Sequence, residues 1–260
     1  MYGIKSSLIL LMKKVDDYIE ILASILANAI MTEALLPHFE KRPRGFFSHK
    51  LHPGLRYIDL DKFKLLKTID KRENIIGFIG RLEEDKGVID FIKISQFISL
   101  KTRKSNLNAR FYIVGSGRLD KVVRSITARM NDKGVNIQFY GFVENDLLPT
   151  IFNETKILIL PYKSPTEGVP TVVLEAFACG VPIIAYDTGL IKSVVINGVT
   201  GFVVQLNNYK AIADLAVQLL SHHELLVNIS RNQRKFAENF LSYEKASERY
   251  SILFAKLCIE

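Results

Sequence analysis

Residues 166–180 read Thr-Glu-Gly-Val-Pro-Thr-Val-Val-Leu-Glu-Ala-Phe-Ala-Cys-Gly, a stretch that starts as a loop and continues as an apolar helix. Pro170 suits the first turn of that helix, where its missing N–H would have no partner, and Gly180 suits the left-handed residue after the helix ends. The predicted helix is short, so Glu167 lies on the entering loop and Glu175 lies inside the helix. Both carboxylates can then face a ligand held at the free N–H groups of the helix start.

The two carboxylates indicate what kind of ligand this is. Free N–H groups at a helix start favour phosphate. An ionised carboxylate accepts hydrogen bonds and donates none, so two of them beside a phosphate suit a ligand rich in hydroxyl groups, such as a nucleotide-sugar. Two alternatives exist for the pair. The carboxylates could be the acid and base of a hydrolase, although such groups act from separate elements across a scissile bond, or Glu175 could simply support the helix surface.

The chain from Asn74 onward alternates short apolar runs with longer stretches of helical period. The short runs are typical of strands buried on both faces of a parallel sheet. The predicted strands are 75–79, 110–114, 136–139, 156–160, 182–185 and 201–204. The predicted helices are 88–100, 118–131, 146–153, 170–179 and 189–196. We therefore predict an α/β fold, a Rossmann-like doubly wound parallel sheet that binds ligands outside the carboxyl ends of its strands.

The loops after these strands carry glycines and cations. Gly80-Arg-Leu-Glu-Glu-Asp-Lys-Gly87 follows the first strand, Gly115-Ser-Gly117 the second and Gly141-Phe-Val143 the third. Gly80 allows a backbone to approach closely, while Arg81 and Lys86 could neutralise a diphosphate. Each loop alone also fits an ordinary solvated turn. Four such loops at one edge of one sheet favour a shared binding site.

Composition excludes several classes of protein. The chain has 260 residues, of which 48% are hydrophobic, enough for a substantial core. Its two cysteines, Cys179 in an apolar helix and Cys258 near the end, predict reduced thiols and a cytoplasmic location. The net charge of +8 is diffuse, and the clusters at 41–44 and 101–104 lack interleaved aromatic residues, so we predict no nucleic-acid partner.

The first sixty residues differ in character from the rest. Apolar runs between Ser6 and Met31 are interrupted by charges at 13, 14, 16, 17 and 20, so no membrane-length span is predicted. Burial against protein is favoured for this segment. The alternative is a peripheral position at the inner membrane face, where a short apolar segment flanked by basic residues can lie on the surface.

Together these motifs resemble the C-terminal, donor-binding half of a GT-B retaining glycosyltransferase of group 1, family 4 type. That group includes glycogen synthase and sucrose synthase. The matching elements are Gly80-Arg-Leu with Lys86-Gly87, Val114-Gly-Ser-Gly117, Gly141-Phe-Val143 and the E-x7-E block from Glu167 to Glu175. The similarity covers about two thirds of the chain and continues through 187–189, 197–202 and a C-terminal helix at 243–257.

This resemblance implies roles for individual residues. Arg81, Lys86 and Glu167 would be the catalytic set, in which the two cations offset charge on the departing nucleoside diphosphate and Glu167 binds hydroxyls of the transferred sugar. Glu175 would accept hydrogen bonds from the ribose. The other implied substrate-binding residues are Gly80, Gly115, Gly117, Gly141, Phe142, Val143, Gly168, Val169, Pro170 and Thr171. No cofactor and no metal are expected. One departure is that Leu190 and Ser193 stand where the family often has Gly and Glu, and a bulky Leu190 is expected to restrict close backbone approach.

The predicted domains are a truncated N-terminal remnant and linker at 1–70, a nucleotide-sugar-binding domain at 71–240 and a C-terminal helix at 241–260. Segment 15–19 resembles the last strand of the acceptor half, most of which is expected to be missing. The predicted function is retaining transfer of a hexose from a nucleotide-diphosphate sugar, with a separate acceptor-domain polypeptide or a homo-oligomer as partner. The alternatives are a non-catalytic nucleotide-sugar-binding module or truncated gene product, and an interaction protein that docks through its N-terminal apolar surface.

Overall fold

The computed structural model describes residues 30–32, 51–53, 56–104 and 107–257. Residues 56–247 form one compact unit, and residues 1–55 with 248–260 form another. In the second unit, strand β1 (Ile30–Thr32) pairs in parallel with β2 (Leu51–Pro53). The predicted strand at 15–19, the apolar runs before residue 30 and Cys258 lie outside the described residues. Within the described ranges, no helix is both long and apolar enough to cross a bilayer.

A six-stranded sheet forms the centre of the first unit. Its strands are β3 (Ile75–Ile79), β4 (Arg110–Val114), β5 (Ile137–Gly141), β6 (Ile157–Leu160), β7 (Ile183–Tyr186) and β8 (Gly201–Val204). All neighbouring strands are parallel, and their order is β5-β4-β3-β6-β7-β8. Ile76 of β3 is in register with Phe111 on one side and Ile157 on the other. The predicted Rossmann-like fold is therefore confirmed, and the strand order reverses between β3 and β6, where such sheets bind ligands.

Helices connect the strands and cover the sheet. They are α1 (Val88–Lys104), α2 (Asp120–Asp132), α3 (Leu148–Glu154), α4 (Thr171–Ala178), α5 (Tyr209–Ser221) and α6 (His223–Phe236). A last helix, α7 (Tyr243–Leu257), begins in this unit and continues into residues assigned to the other. A π-helical turn at Ala237–Leu241 continues α6. Helices α5 and α6 were not among the predicted helices. The predicted C-terminal helix at 243–257 has the bounds of α7.

Two sequence-based expectations about local structure are wrong. The segment 189–196 is not an α-helix but contains one 3-10 turn, Ile191–Ser193. In this segment, side-chain hydroxyls bond to backbone carbonyls that would otherwise accept helical N–H groups. The Ser193 hydroxyl donates to Leu190 O, and the Thr200 hydroxyl donates to Val194 O. Pro170 lies at the N-cap with an extended ψ of 137°, so α4 begins one residue later than the proline position implied.

Burial of the strands depends on their place in the sheet. All residues of β6 and β7 are buried, and so is β3 apart from its first residue. Edge strands β5 and β8 contain half-buried or exposed residues, so the expectation of strands buried on both faces is wrong for these two. An edge strand has a neighbour on one side alone, and helices cover it less completely.

Cys179 is fully buried at the end of α4, as expected for a small apolar core residue. Burial raises the pKa of its thiol to about 12. Its carbonyl accepts a hydrogen bond from Arg72, a buried arginine that also donates to Lys67 O, Phe152 O and Thr155 O. One guanidinium therefore binds carbonyls near the ends of both α3 and α4.

Candidate functional site

The loops after β3 and β6 meet where the strand order reverses. The first contains a 3-10 turn, Glu84–Lys86, which ends at Gly87 with φ 68°. A Cβ at Gly87 would lie 1.9 Å from Pro161 O in the second loop. Lys163 N donates to Asp85 O at 2.7 Å. The two backbones are thus packed directly against each other, which requires glycine at position 87 both for space and for its left-handed conformation.

Lys86 and Glu167 form an ion pair across these two loops. Lys86 Nζ lies 2.6 Å from Glu167 Oε2, and Lys86 is 7% exposed. The same ammonium lies 4.7 Å from the centre of the Tyr162 ring. A partly buried, charge-assisted contact of this kind is short and weakly screened by salt. Two of the three predicted catalytic residues are therefore in direct contact.

Tyr162 is the residue around which the predicted charges gather. Its hydroxyl donates to Ile79 O at 2.7 Å. Burial raises the pKa of that hydroxyl above its usual range, and the carboxylates of Glu167 and Glu175 raise it further, whereas Arg81 opposes them. Arg81, Glu167 and Glu175 therefore act on the same buried phenol that Lys86 contacts. Tyr162 was missed at the sequence level, where its one signal was a position two residues after a buried strand.

Glu175 is a buried residue in α4 and is 7% exposed. Among the described residues, no side chain or backbone group donates a hydrogen bond to its carboxylate. Burial raises the pKa of Glu175 to about 6, and Lys62 partly opposes this. Since an unpaired carboxylate is costly to bury, this group is suited to accept hydroxyls of a ligand.

The start of α4 presents backbone donors beside these carboxylates. No side chain caps the helix at Pro170, so its first N–H groups are open to an anion. Val169 is buried, and its carbonyl accepts a hydrogen bond from Arg56. Gly168 is half-buried and Thr171 is exposed. These three predicted residues and Pro170 therefore form the short segment that leads from Glu167 into the helix.

The loop after β7 supports this segment from the other side. Leu190 N donates to Glu167 O at 2.9 Å, and the Thr188 hydroxyl donates to Tyr162 O at 2.8 Å. A Cβ at Gly189 would lie 2.1 Å from Glu167 O. The close backbone approach in this loop therefore occurs at Gly189, while Leu190 contributes its N–H and leaves its side chain 38% exposed.

The glycines after β3 and β4 allow their loops to pack together. A Cβ at Gly115 would lie 1.8 Å from Gly80 O, and one at Gly117 would lie 2.7 Å from Leu82 O. Gly115 N donates to Gly141 O at 2.8 Å, which joins the loop after β5 to the same layer. Loop packing alone thus explains why Gly115 and Gly117 lack side chains, and their contact with a ligand stays a prediction.

The remaining predicted residues are more open to solvent. Arg81 follows Gly80 at the end of β3 and is exposed, with no ion pair to any residue of the described ranges. Gly141 ends β5 with φ 72° and has free space around its Cα. Phe142 is 69% exposed and Val143 is half-buried. An exposed cation and an exposed ring at the same sheet edge are available to a phosphate and a base.

Metal-binding residues do not gather at this site. Over the residues that the structure describes, no group of three or more His, Cys, Asp or Glu side chains could hold a metal ion. The sequence contains one Asp-x-Asp pair, Asp59-Leu-Asp61, and both carboxylates have local partners. Asp59 Oδ1 accepts the N–H of Asp61 at 2.9 Å, and Asp61 pairs with Lys64 at 3.1 Å. A metal requirement is untested by this geometry.

A cavity of about 750 Å³ lies away from the site. It is lined by residues of 57–66 together with Arg234, Glu238 and Tyr243, and none of the predicted site residues belongs to it. Its size therefore does not identify the functional site. The ion pair, the carboxylate of Glu175 and the helix start at Pro170 make the sheet edge the candidate site instead, because each matches the chemistry that the sequence predicts.

Two solved structures have the same fold. Anabaena HepE, crystallised with UDP, superposes with a TM-score of 0.72 at 17% identity over 90% of this chain and 65% of that chain. The C-terminal domain of the group 1 family protein LpcC from Francisella tularensis has a TM-score of 0.61 at 21% identity, covering 72% of this chain and 99% of that domain. At such identities the likeness shows the fold, and it confirms the predicted C-terminal half of GT-B.

Relatives in sequence agree with this assignment. The capsular polysaccharide biosynthesis glycosyltransferase CapM of Staphylococcus aureus is 29% identical over 92% of this chain. The N-acetyl-alpha-D-glucosaminyl L-malate synthase of Bacillus anthracis is 26% identical over 75% of it. The chain spans 63% and 49% of the lengths of these two proteins. The model of the family Glycosyl transferases group 1 matches residues 61–236. Because that match covers more than half of the sequence, the chain belongs to the glycosyl transferases group 1.

Proposed function

We propose that this chain binds a nucleotide-diphosphate sugar at the carboxyl edge of its sheet and acts in retaining transfer of the hexose to an acceptor. The observation that carries the proposal is the meeting of Lys86 and Glu167 at 2.6 Å where the strand order reverses, beside the unpaired Glu175. A cation for phosphate and two acceptors for hydroxyl groups are thereby held within one small region.

The proposed chemistry needs little movement of these groups. When the bond between the anomeric carbon and the diphosphate oxygen breaks, its electron pair stays on the diphosphate. The acceptor oxygen bonds to the anomeric carbon on the same face, and the proton that it loses passes to the departing diphosphate. Lys86 and Arg81 would offset that charge, together with the N–H groups at the start of α4. Glu167 would accept hydroxyls of the sugar and Glu175 those of the ribose. Lys86 is mostly buried, so its attraction to the leaving group acts where water screens it little.

The proposal divides the reaction between two parts. The described sheet supplies donor binding and leaving-group stabilisation. Binding of the acceptor is assigned to a further domain or polypeptide, since transfer requires the acceptor hydroxyl to be held close to the anomeric carbon. We also propose a cytoplasmic location, with peripheral binding to the inner membrane face for an acceptor that lies in the membrane.

A thermal-shift screen tests donor binding. The purified chain is heated with UDP, GDP, ADP and the corresponding sugars, since the sequence does not define the base. A ligand present at a hundred times its Kd stabilises a protein by about 2.7 kcal/mol, so we expect one base to raise the Tm by roughly 5–10 °C. Glu175→Ala and Arg81→Ala should reduce the shift, and Lys235→Ala, at the far end of α6, should not. If no nucleotide moves the Tm, the proposed function is wrong.

A further inference from the structure

A second buried carboxylate lies behind the donor site. Asp90 is in the first turn of α1 and is 2% exposed. Lys163 Nζ lies 2.9 Å from its Oδ2. The hydroxyls of Tyr186 and Tyr209 donate to Oδ2 and Oδ1 at 3.2 and 3.3 Å. Four separate elements, namely α1, the loop after β6, the end of β7 and the start of α5, therefore meet at this one side chain.

Lys163 connects this carboxylate to the donor site. It directly follows Tyr162, whose ring lies beneath the Lys86 ammonium. Its own N–H donates to Asp85 O at 2.7 Å, in the turn that carries Lys86. The segment 161–167 is thus anchored by the Lys163 side chain at one point and by the Glu167 carbonyl, which accepts Leu190 N–H, at another.

The chemistry of this cluster favours a positioning role over a purely stabilising one. Burying a carboxylate carries a desolvation cost that a salt bridge often fails to offset, so a buried pair is weak evidence for stability. Such a pair does fix the orientation of the lysine side chain, since its ammonium must stay within hydrogen-bond range of the carboxylate. Lys163 is 35% exposed and would be free to turn towards solvent without Asp90.

We propose that Asp90, acting through Lys163, is a positioning residue of the donor site that holds segment 161–167 so that Glu167 meets Lys86. This inference rests on the proposed function, because it concerns the geometry in which the donor is bound. The tyrosine hydroxyls complete the shell around the carboxylate and prevent it from rotating away from Lys163.

The test compares variants of the full chain by titration calorimetry with UDP, GDP or ADP, whichever raises the wild-type Tm. We expect Asp90→Asn and Lys163→Met each to weaken binding about tenfold, and the double variant to be no weaker than the worse single one, because the two residues act as one unit. Lys163→Arg keeps the charge and should restore most of the affinity. All titrations are made well below the lowest Tm, so that every variant is folded.

Asp214→Asn is the matched control. Asp214 on α5 pairs with Lys101 on α1 at 2.8 Å, so Asp214→Asn makes the same chemical change at an ion pair that has no link to the donor loops. Equal affinities of Asp90→Asn and Asp214→Asn would overturn the inference and leave the proposed function standing. Absence of nucleotide binding by the wild type would overturn both. If Asp90→Asn fails to fold, the nucleotide affinities of Lys163→Met and Lys163→Arg are compared instead. A weaker affinity of Lys163→Met supports the positioning role of the Asp90–Lys163 pair, and equal affinities refute it.

Discussion

At the scale of single residues, Glu175 combines a cost in stability with a use in binding. Burial raises its pKa to about 6 from an ordinary value of 4.5. The folded chain therefore holds a proton that the unfolded chain has lost between these pH values. The stability that the fold gains by binding this proton more tightly is fully present below pH 4.5 and is lost as the pH rises through 6. At pH 7 the ionised, unpaired carboxylate then destabilises the ligand-free fold by about 2 kcal/mol.

We therefore expect Glu175→Gln to be more stable than the wild type at pH 7 by about 2 kcal/mol, and to lose that advantage at pH 4.5. Urea unfolding at both pH values measures the difference. Glu224→Gln, an exposed change in the first turn of α6, should show no such pH-dependent gain. A Glu175→Gln advantage of equal size at both pH values would contradict the assigned cause.

The candidate site residues that could be predicted from the sequence are charged residues with a characteristic spacing. Glu167 and Glu175 stand eight positions apart on either side of a helix start, so the sequence places both near that start. Tyr162 and Asp90 gave no comparable signal. Their roles depend on partners 83 and 96 positions away, Ile79 for the first and Tyr186 for the second, and such distances are set by the fold.

At the scale of elements, Arg72 joins the ends of two helices. Its guanidinium donates four hydrogen bonds to carbonyls of the segment before it, of α3 and its end, and of Cys179 after α4. Helix α4 carries Glu175, so this anchor also holds one element of the candidate site in place. Removing the arginine would take the Arg72 donor from the buried carbonyls of Thr155 and Cys179, whereas Phe152 O would keep the N–H of Thr155.

Arg72→Met should accordingly destabilise the chain by roughly 3 kcal/mol, because the carbonyls of Thr155 and Cys179 stay buried and lose this donor. Chemical denaturation measures this loss. Arg110→Met removes an exposed ion pair with Glu73 and should cost well under about 1 kcal/mol. Similar losses in the two variants would show that Arg72 does not hold the helices.

Elements were predictable where an apolar run had clear ends. The bounds of β3, β4 and β8 agree with the predicted strands, since each run is closed by glycine or polar residues. Segment 189–196 also has apolar residues at helical spacing, yet hydroxyl groups of Ser193 and Thr200 take its backbone partners. Such competition for carbonyls cannot be read from periodicity.

At the scale of the whole sheet, strand order decides which loops share a site. The sequence predicted a doubly wound sheet, but no pattern in it states that β6 lies beside β3. Once that neighbour is fixed, the loops after these strands must face each other, and Lys86 meets Glu167 although 81 positions separate them. The order of the strands in the sheet therefore brings these motif residues together.

This topology predicts where a bound nucleotide protects the backbone. We expect saturating nucleoside diphosphate to slow hydrogen exchange of amides in 80–87 and 161–172, because these loops would close around the diphosphate and their opening would require its release. Mass spectrometry of peptides from the exchanged chain measures this. Peptides from 57–66 and 234–244, which line the 750 Å³ cavity, provide the internal comparison and should exchange at unchanged rates. Protection confined to those cavity peptides would move the binding site off the sheet edge, and with it every role assigned to Arg81, Lys86, Glu167 and Glu175.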